Sequence, residues 1–321
     1  MSERIVIITG ANSGIGKAAT EKFARAGYHV VMACRNLEIS KQVQEEIKEV
    51  TGSSRVDLMQ IDVSSFNSIR TFCSEFKNKY QKLDVLVNNA AYFNHGEKKF
   101  QLSNDNLELT FATNLFGPFL LTQLLVDELA KSEDPRILNA CTTNIRHFFD
   151  PKREIELDNL YGEKDEPYNV YKRYGDSKMA LLMTTIKMAD EYKNKNIKVN
   201  AIQIPAIKIS KRTIQKIDSV WWRTAARIQN LFTPNPSTMA ETYFSICTSK
   251  QWSDVTGKLI NDKVEVVQPS QYGANGRDSI KQFFDKGVYP KYADNKEMIE
   301  YIWELCTELT KCSKEEEIVF C

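Results

Sequence analysis

Histidine is scarce and cysteine is dispersed, and together these two facts remove metal chemistry from the reading. His29, His95 and His147 stand far apart, and the seven cysteines at 34, 73, 141, 247, 306, 312 and 321 form no Cys-x-x-Cys spacing and no cluster with them. A zinc centre needs closely spaced ligands and a disulfide framework needs an even, patterned set, so neither is expected. An odd, scattered count suits a reducing compartment, where a free cysteine acts as a small buried hydrophobe. Excess charge is absent too: 43 Lys plus Arg against 42 Asp plus Glu leave +1. Without a one-sided field, nucleic acid and anionic surfaces lose their electrostatic attraction, and a small-molecule partner is expected. No uninterrupted apolar run reaches the roughly 18 residues that mark a membrane span, and the first strand-like run starts too soon after Met1 for a signal peptide. A cytoplasmic chain is the expectation, with any membrane contact peripheral.

What is present begins with Thr9-Gly10-Ala11-Asn12-Ser13-Gly14-Ile15-Gly16, set between the apolar run Ile5-Val6-Ile7-Ile8 and a helix-like segment from Lys17. A buried strand that ends in such a turn and opens a helix aims free N–H groups and the helix's positive end at a pyrophosphate. Glycine serves where φ is positive or where the phosphate must approach the backbone. Alone, the turn needs no ligand; a second motif changes its weight. Tyr174-Gly175-Asp176-Ser177-Lys178 leads into the apolar-rich stretch Met179 to Met188, and residues four apart share a helix face, so a phenol and an ammonium can address one substrate. Tyr168 and Lys172 repeat that spacing. The later pair is preferred because Tyr168 follows Pro167 in a charged, loop-like run, whereas Lys178 enters a long amphipathic segment.

With these two motifs the chain resembles the short-chain dehydrogenase/reductase family over most of its length. Further matches fall in the family's order: Asp62-Val63 like the pair beside the adenine, Asn88-Asn89-Ala90-Ala91 like the Asn-Asn-Ala-Gly closing the fourth strand, and Asn114 like the catalytic asparagine. The resemblance implies a cofactor site of Gly10, Asn12, Ser13, Gly14, Ile15, Gly16, Asp62, Val63, Asn89 and Ala90, joined by Tyr174 and Lys178. It implies Lys178 bonding the nicotinamide ribose and Asn114 as holder of a relay water; Tyr174 is the expected proton donor or base, its pKa lowered by charge proximity to Lys178 and the oxidised nicotinamide. The family's catalytic serine is replaced: the fifth strand reads Asn139-Ala140-Cys141-Thr142-Thr143, which puts Thr142 in its position with the same donor and acceptor capacity. After the sixth strand the family's Pro-Gly is replaced by Gln203-Ile204-Pro205-Ala206. These two departures keep open a second reading, a catalytically weak NADP(H)-binding sensor or interaction protein on the same scaffold.

The residue closing the second strand selects the cofactor, since an acid there would bond a ribose hydroxyl and repel a 2′-phosphate. Here it is Cys34-Arg35-Asn36, with no acid. Arg35 can grip a phosphate bidentately, so NADP(H) is expected, with Lys17 adding positive potential.

Strand-like runs at Arg4 to Thr9, His29 to Cys34, Val56 to Ile61, Leu83 to Val87, Arg136 to Cys141, Val199 to Ile202 and Lys258 to Ile260 alternate with helical ones. That alternation predicts an α/β fold over 1–321, a single Rossmann-type domain with a doubly wound parallel sheet of about seven strands and helices on both faces. Ala33-Cys34-Arg35-Asn36, the long spacing from Thr142 to Tyr174, and Tyr301-Ile302-Trp303-Glu304-Leu305 look like the family's retinol-dehydrogenase-like branch, which acts on lipophilic aldehydes, ketones and alcohols. A substrate loop is expected over about 206–252, where Trp221 and Trp222 sit among basic residues. Its aromatics fit a substrate lid, a peripheral membrane contact, or packing of a helix on the body. A homo-oligomer is left open.

Overall fold

The computed structural model describes residues 3–311 apart from 95–96, 165–166, 209–213, 216–222, 225–226, 229, 231–232 and 274. Seven strands, β1 (Ile5–Thr9), β2 (His29–Cys34), β3 (Val56–Gln60), β4 (Val85–Asn88), β5 (Arg136–Thr142), β6 (Lys198–Ile204) and β7 (Leu259–Ile260), form one sheet in the order β3-β2-β1-β4-β5-β6-β7. Every pairing in it is parallel. Parallel strands are covered on both faces, which is why β1 reads Ile-Val-Ile-Ile-Thr and is buried at all five positions. The order reverses between β1 and β4, and the crevice beyond their carboxyl ends is where a doubly wound sheet binds its ligand.

One face of the sheet carries α1 (Gly14–Arg25), α2 (Leu37–Thr51) and, later in the chain, Pro236–Thr248. The other carries α3 (Phe66–Lys79), α4 (Leu109–Ala130), α5 (Val170–Glu191) and, near the chain's end, Lys296–Thr310. Helix starts follow side-chain chemistry: Asn36 accepts from Ile39 N–H at 3.0 Å to open α2, and Asn169 accepts from Lys172 N–H at 3.1 Å to open α5. Gly52, at φ +68°, closes α2.

One expectation needs correction and another needs a note. α4 is long and apolar enough to cross a membrane by length and composition. Yet 83% of its most apolar stretch is buried, so it is a core helix. The expected substrate loop over about 206–252 is not all loop, because α6 (Pro236–Thr248) lies within it. Its Met239, Tyr243 and Ile246 are buried in the core beside Phe23 of α1. Trp221 and Trp222 lie outside the described residues.

After β7, α7 (Gly276–Phe284) is framed by a short parallel pair, β8 (Gln268–Pro269) and β9 (Val288–Tyr289). The chain then enters α8 (Lys296–Thr310), which spans α4 and α5: Trp303 meets Phe119 edge-on at 5.0 Å between ring centroids, and Glu300 pairs with Lys187 at 2.7 Å. Arg70 of α3 donates to the Thr310 carbonyl at 2.7 Å, satisfying one of the helix's terminal acceptors.

Candidate active site

From Thr9 the chain turns through Gly10 at φ +64° and Gly14 at φ +52° into α1, angles at which a Cβ is strained. Gly16 is required by closeness instead. A Cβ there would stand 2.3 Å from the Gly10 carbonyl oxygen and 2.7 Å from Asn89 Nδ2. The turn is clamped from β4: Thr9 Oγ1 accepts from the backbone N–H groups of Asn89 and Ala90 at 2.9 Å, and Asn89 Nδ2 donates to the Thr9 carbonyl at 2.8 Å. Asn12 Nδ2 donates to Ser40 Oγ at 2.8 Å, fixing the far side of the turn to α2. Ser13 makes no side-chain cap, and the first turn of α1 holds no acid. The first N–H groups of α1 and its positive end are therefore left for an anion.

Two further walls complete this cradle. Arg35 is exposed immediately after β2 and forms no ion pair among the described residues. After β3, Asp62 Oδ1 accepts from Ser64 N–H at 3.0 Å and Ser64 Oγ at 2.6 Å, which sets the turn that buries Val63.

The sequence-selected polar side chains converge at the ends of β5 and α5. Tyr174 and Lys178 lie one helical turn apart, and Thr142 stands near enough to pull the Tyr174 phenol's pKa down. Thr142 Oγ1 accepts from Asn144 N–H at 3.2 Å, which leaves its O–H available as a donor. Lys178 is buried at 1% exposure, its Nζ donating to the Ala140 carbonyl at 2.7 Å and standing 6.0 Å from the Tyr174 ring centroid. Asn114 is fully buried in a π-helical stretch of α4, Ala112–Phe116, where Gly117 N–H bonds the Ala112 carbonyl. Its amide is engaged: Oδ1 accepts from Tyr92 N–H at 2.8 Å, and Nδ2 donates to the Tyr92 carbonyl at 3.0 Å and Ser177 Oγ at 3.2 Å. Asn114 thus ties the segment after β4 to α5. The competing pair is dispersed: Tyr168 bonds Glu108 at 2.8 Å and Thr110 at 3.1 Å, while Lys172 pairs with Glu156.

Residues 4–147 match the family model described as short chain dehydrogenase. Retinol dehydrogenase 12 of Mus musculus is 31% identical over 263 residues, covering 81% of this chain and 78% of its own. The chain belongs to the short-chain dehydrogenase/reductase family, in its retinol-dehydrogenase-like branch. Human retinol dehydrogenase 13 is 28% identical, covering 80% of this chain and 76% of its own. Among solved structures, a short-chain dehydrogenase from Shigella flexneri complexed with NADP has the same fold at 20% identity and a TM-score of 0.62, covering 82% of this chain and 98% of its own.

Within this dehydrogenase fold, one electrostatic expectation changes: Lys17 is paired with Glu46 of α2 at 2.7 Å, so it is not a free cation. Burial pushes the Tyr174 phenol up to about 12, against a smaller downward pull from Thr142, and brings Lys178 down to about 8. Such a phenol keeps its proton at neutral pH.

Sequence reasoning missed three supports of this site. Tyr243 of α6 is fully buried and donates to Asn89 Oδ1 at 3.2 Å, bracing the β4 clamp from the opposite face. Phe93 lies against Tyr174 at 4.5 Å between ring centroids, tilted by 30°. Gly117 is the third. A Cβ there would fall 1.9 Å from the Val63 carbonyl oxygen, so α4 reaches the turn after β3 only without a side chain. The signal was present as a glycine three residues after Asn114, but nothing local says what it approaches. Gly117→Ala should destabilise the fold by more than about 2 kcal/mol, the upper range of overpacking penalties, because the obstruction is backbone. Urea unfolding measures this, and an unchanged midpoint would refute the tight contact.

Proposed function

We propose that the protein is an NADP(H)-dependent oxidoreductase that interconverts a lipophilic carbonyl compound and its alcohol. The observation that carries this reading is the Tyr174 phenol, beside Thr142 and held protonated by burial, one helical turn from the buried amine of Lys178. A substrate oxygen bonded by Thr142 and Tyr174 receives the phenolic proton as negative charge develops on it. Lys178, when protonated, stabilises the phenolate left behind by charge proximity.

The cradle fits a dinucleotide: positive-φ glycines, an uncapped α1 with no acid in its first turn, and Asp62 and Val63 at the adenine side. When bound, the nicotinamide supplies the hydride. Arg35 supports the phosphorylated cofactor, since it is exposed and outside the ion pairs of the described residues. The preference for lipophilic carbonyls draws on the retinol dehydrogenases among its relatives.

The test is a carbonyl panel read by NADPH absorbance, with NADH in parallel. NADPH should bind at least tenfold more tightly than NADH, about 1.4 kcal/mol, within the reach of one charge-assisted phosphate contact. Arg35→Ala should erase most of that difference. Equal affinities for the two cofactors in the unaltered protein would defeat the assignment.

A further inference from the structure

α7 is amphipathic in the wrong sense for a water-facing helix. Ile280 and Phe284 are 64% and 75% exposed, the highest values for large apolar side chains among the described residues, and Phe283 beside them is 43% exposed. The side chain turned to the body is polar. Gln282 is buried, donating through Nε2 to the Gly273 carbonyl at 3.3 Å and accepting from Ser270 Oγ. A surface helix ordinarily does the reverse, and a contiguous exposed apolar patch marks a contact with another body or with a membrane.

The charges around this patch are sorted as well. Arg277, Ile280, Lys281 and Phe284 stand at i, i+3, i+4 and i+7, so two cations and two apolar side chains share one stripe. Arg277 is exposed, and the Lys281 side chain is 67% exposed. The neighbouring acids are engaged by donors of the protein. Asp278 Oδ2 accepts from Gly273 N–H at 3.1 Å and from Asn275 Nδ2 at 2.9 Å, while its Oδ1 lies 3.9 Å from Lys281 Nζ. Asp285 accepts from Gly287 N–H at 2.9 Å and from the Tyr272 hydroxyl at 3.2 Å. Lys286 follows, exposed, so a chain whose charges balance overall presents a basic, apolar face here.

α7 packs on the 3-10 helix Thr143–Phe149, which Thr142 caps: Arg146 Nη1 donates to the Phe283 carbonyl at 3.4 Å, and the His147 ring lies 6.0 Å from that of Phe283. The stripe therefore sits at the same end of the sheet as the candidate site. A second copy docked by two-fold symmetry would bring two basic patches together. A folded partner needs a cleft shaped to the projecting ridge, whereas a fluid bilayer admits it without one. We propose that α7 lies in the surface of an anionic phospholipid bilayer, with Ile280, Phe283 and Phe284 in the headgroup boundary and Arg277 and Lys281 against lipid phosphates. The stems of the two cations stay beside the apolar ridge while their charged ends reach the phosphates. One short helix with so few cations makes a reversible contact that salt weakens. It is independent of what the site catalyses.

The test floats the full chain with vesicles of phosphatidylcholine, alone or with phosphatidylserine as about a third of the lipid. At low ionic strength, partitioning onto the serine-lipid vesicles should be at least tenfold higher than onto phosphatidylcholine, and molar salt should remove the difference. Ile280→Ser combined with Phe284→Ser should lower partitioning onto the anionic vesicles at least tenfold. Arg277→Gln combined with Lys281→Gln should bring it down to the phosphatidylcholine level. These side chains face solvent, so the melting temperature should hold in both variants. If the serine pair does not fold, Phe284→Trp serves, and brominated phosphatidylcholine in the anionic vesicles should quench its added fluorescence. No flotation on either vesicle, equal partitioning onto both, partitioning untouched by the serine pair, or Phe284→Trp emission indifferent to brominated lipid overturns the inference. So does a dimer in sedimentation that the serine pair dissolves, which would assign the stripe to a second copy of the chain.

Discussion

Tyr174→Phe should lower carbonyl reduction by roughly a hundredfold to ten-thousandfold, the range general acid catalysis supplies, while NADPH still binds. The change removes one oxygen and keeps the ring that Phe93 packs against. Tyr168→Phe provides the contrast, because its hydroxyl has a structural duty. It donates to Glu108, which is fully buried, and removing it leaves a buried carboxylate oxygen short of a donor. Such an orphaned group costs about 1–3 kcal/mol, so Tyr168→Phe should lower the melting temperature and barely touch turnover. The pH profile gives a second check. Burial holds the phenol's proton up to about 12 and lowers Lys178 to about 8. Lys178 is charged below that value and neutral above it, so reduction should fade as pH rises through about 8, well before the phenol ionises. A variant pair with the effects exchanged would mean that Tyr168 and Lys172 are the working pair.

The sheet was legible because a parallel strand buried on both faces reads as a near-continuous apolar run, as Ile5 to Ile8 of β1 and Val30 to Cys34 of β2 do. The glycine turn was legible because Gly10 and Gly14 answer to local backbone angles. What escaped was set by groups distant in sequence. Lys17 reads as a free cation until Glu46 of α2 is seen 2.7 Å away. Gly117 reads as an awkward helix residue until the Val63 carbonyl is found against it. The π-helical stretch around Asn114 looks helical in pattern, and its amide's bonds to Tyr92 and Ser177 join groups 22 and 63 residues apart. The paired strands β8 and β9 have two residues each, too few for any alternation to register. Nor does the i, i+4 spacing of Tyr174 and Lys178 say that the buried amine donates to the Ala140 carbonyl.

Thr142 separates a working reductase from a retired scaffold. If it performs the task of the family's serine, Thr142→Ala should lower kcat by roughly a hundredfold to a thousandfold, as loss of an oxyanion donor does, because the bond it makes strengthens as charge grows on the substrate oxygen. Thr142→Ser should keep or raise activity, since serine offers the same hydroxyl without the β-branch that restricts χ1. The acceptor role toward Asn144 survives in Thr142→Ser and is lost in Thr142→Ala, so the alanine variant also loosens the start of the 3-10 helix. Melting temperature distinguishes that structural loss, worth about 1 kcal/mol for a helix cap, from the larger kinetic one. A native protein that binds NADPH yet reduces nothing in a broad panel would instead be a sensor. Measurable turnover indifferent to Thr142→Ala would reassign the role to Thr143, or to a relay that needs no hydroxyl here.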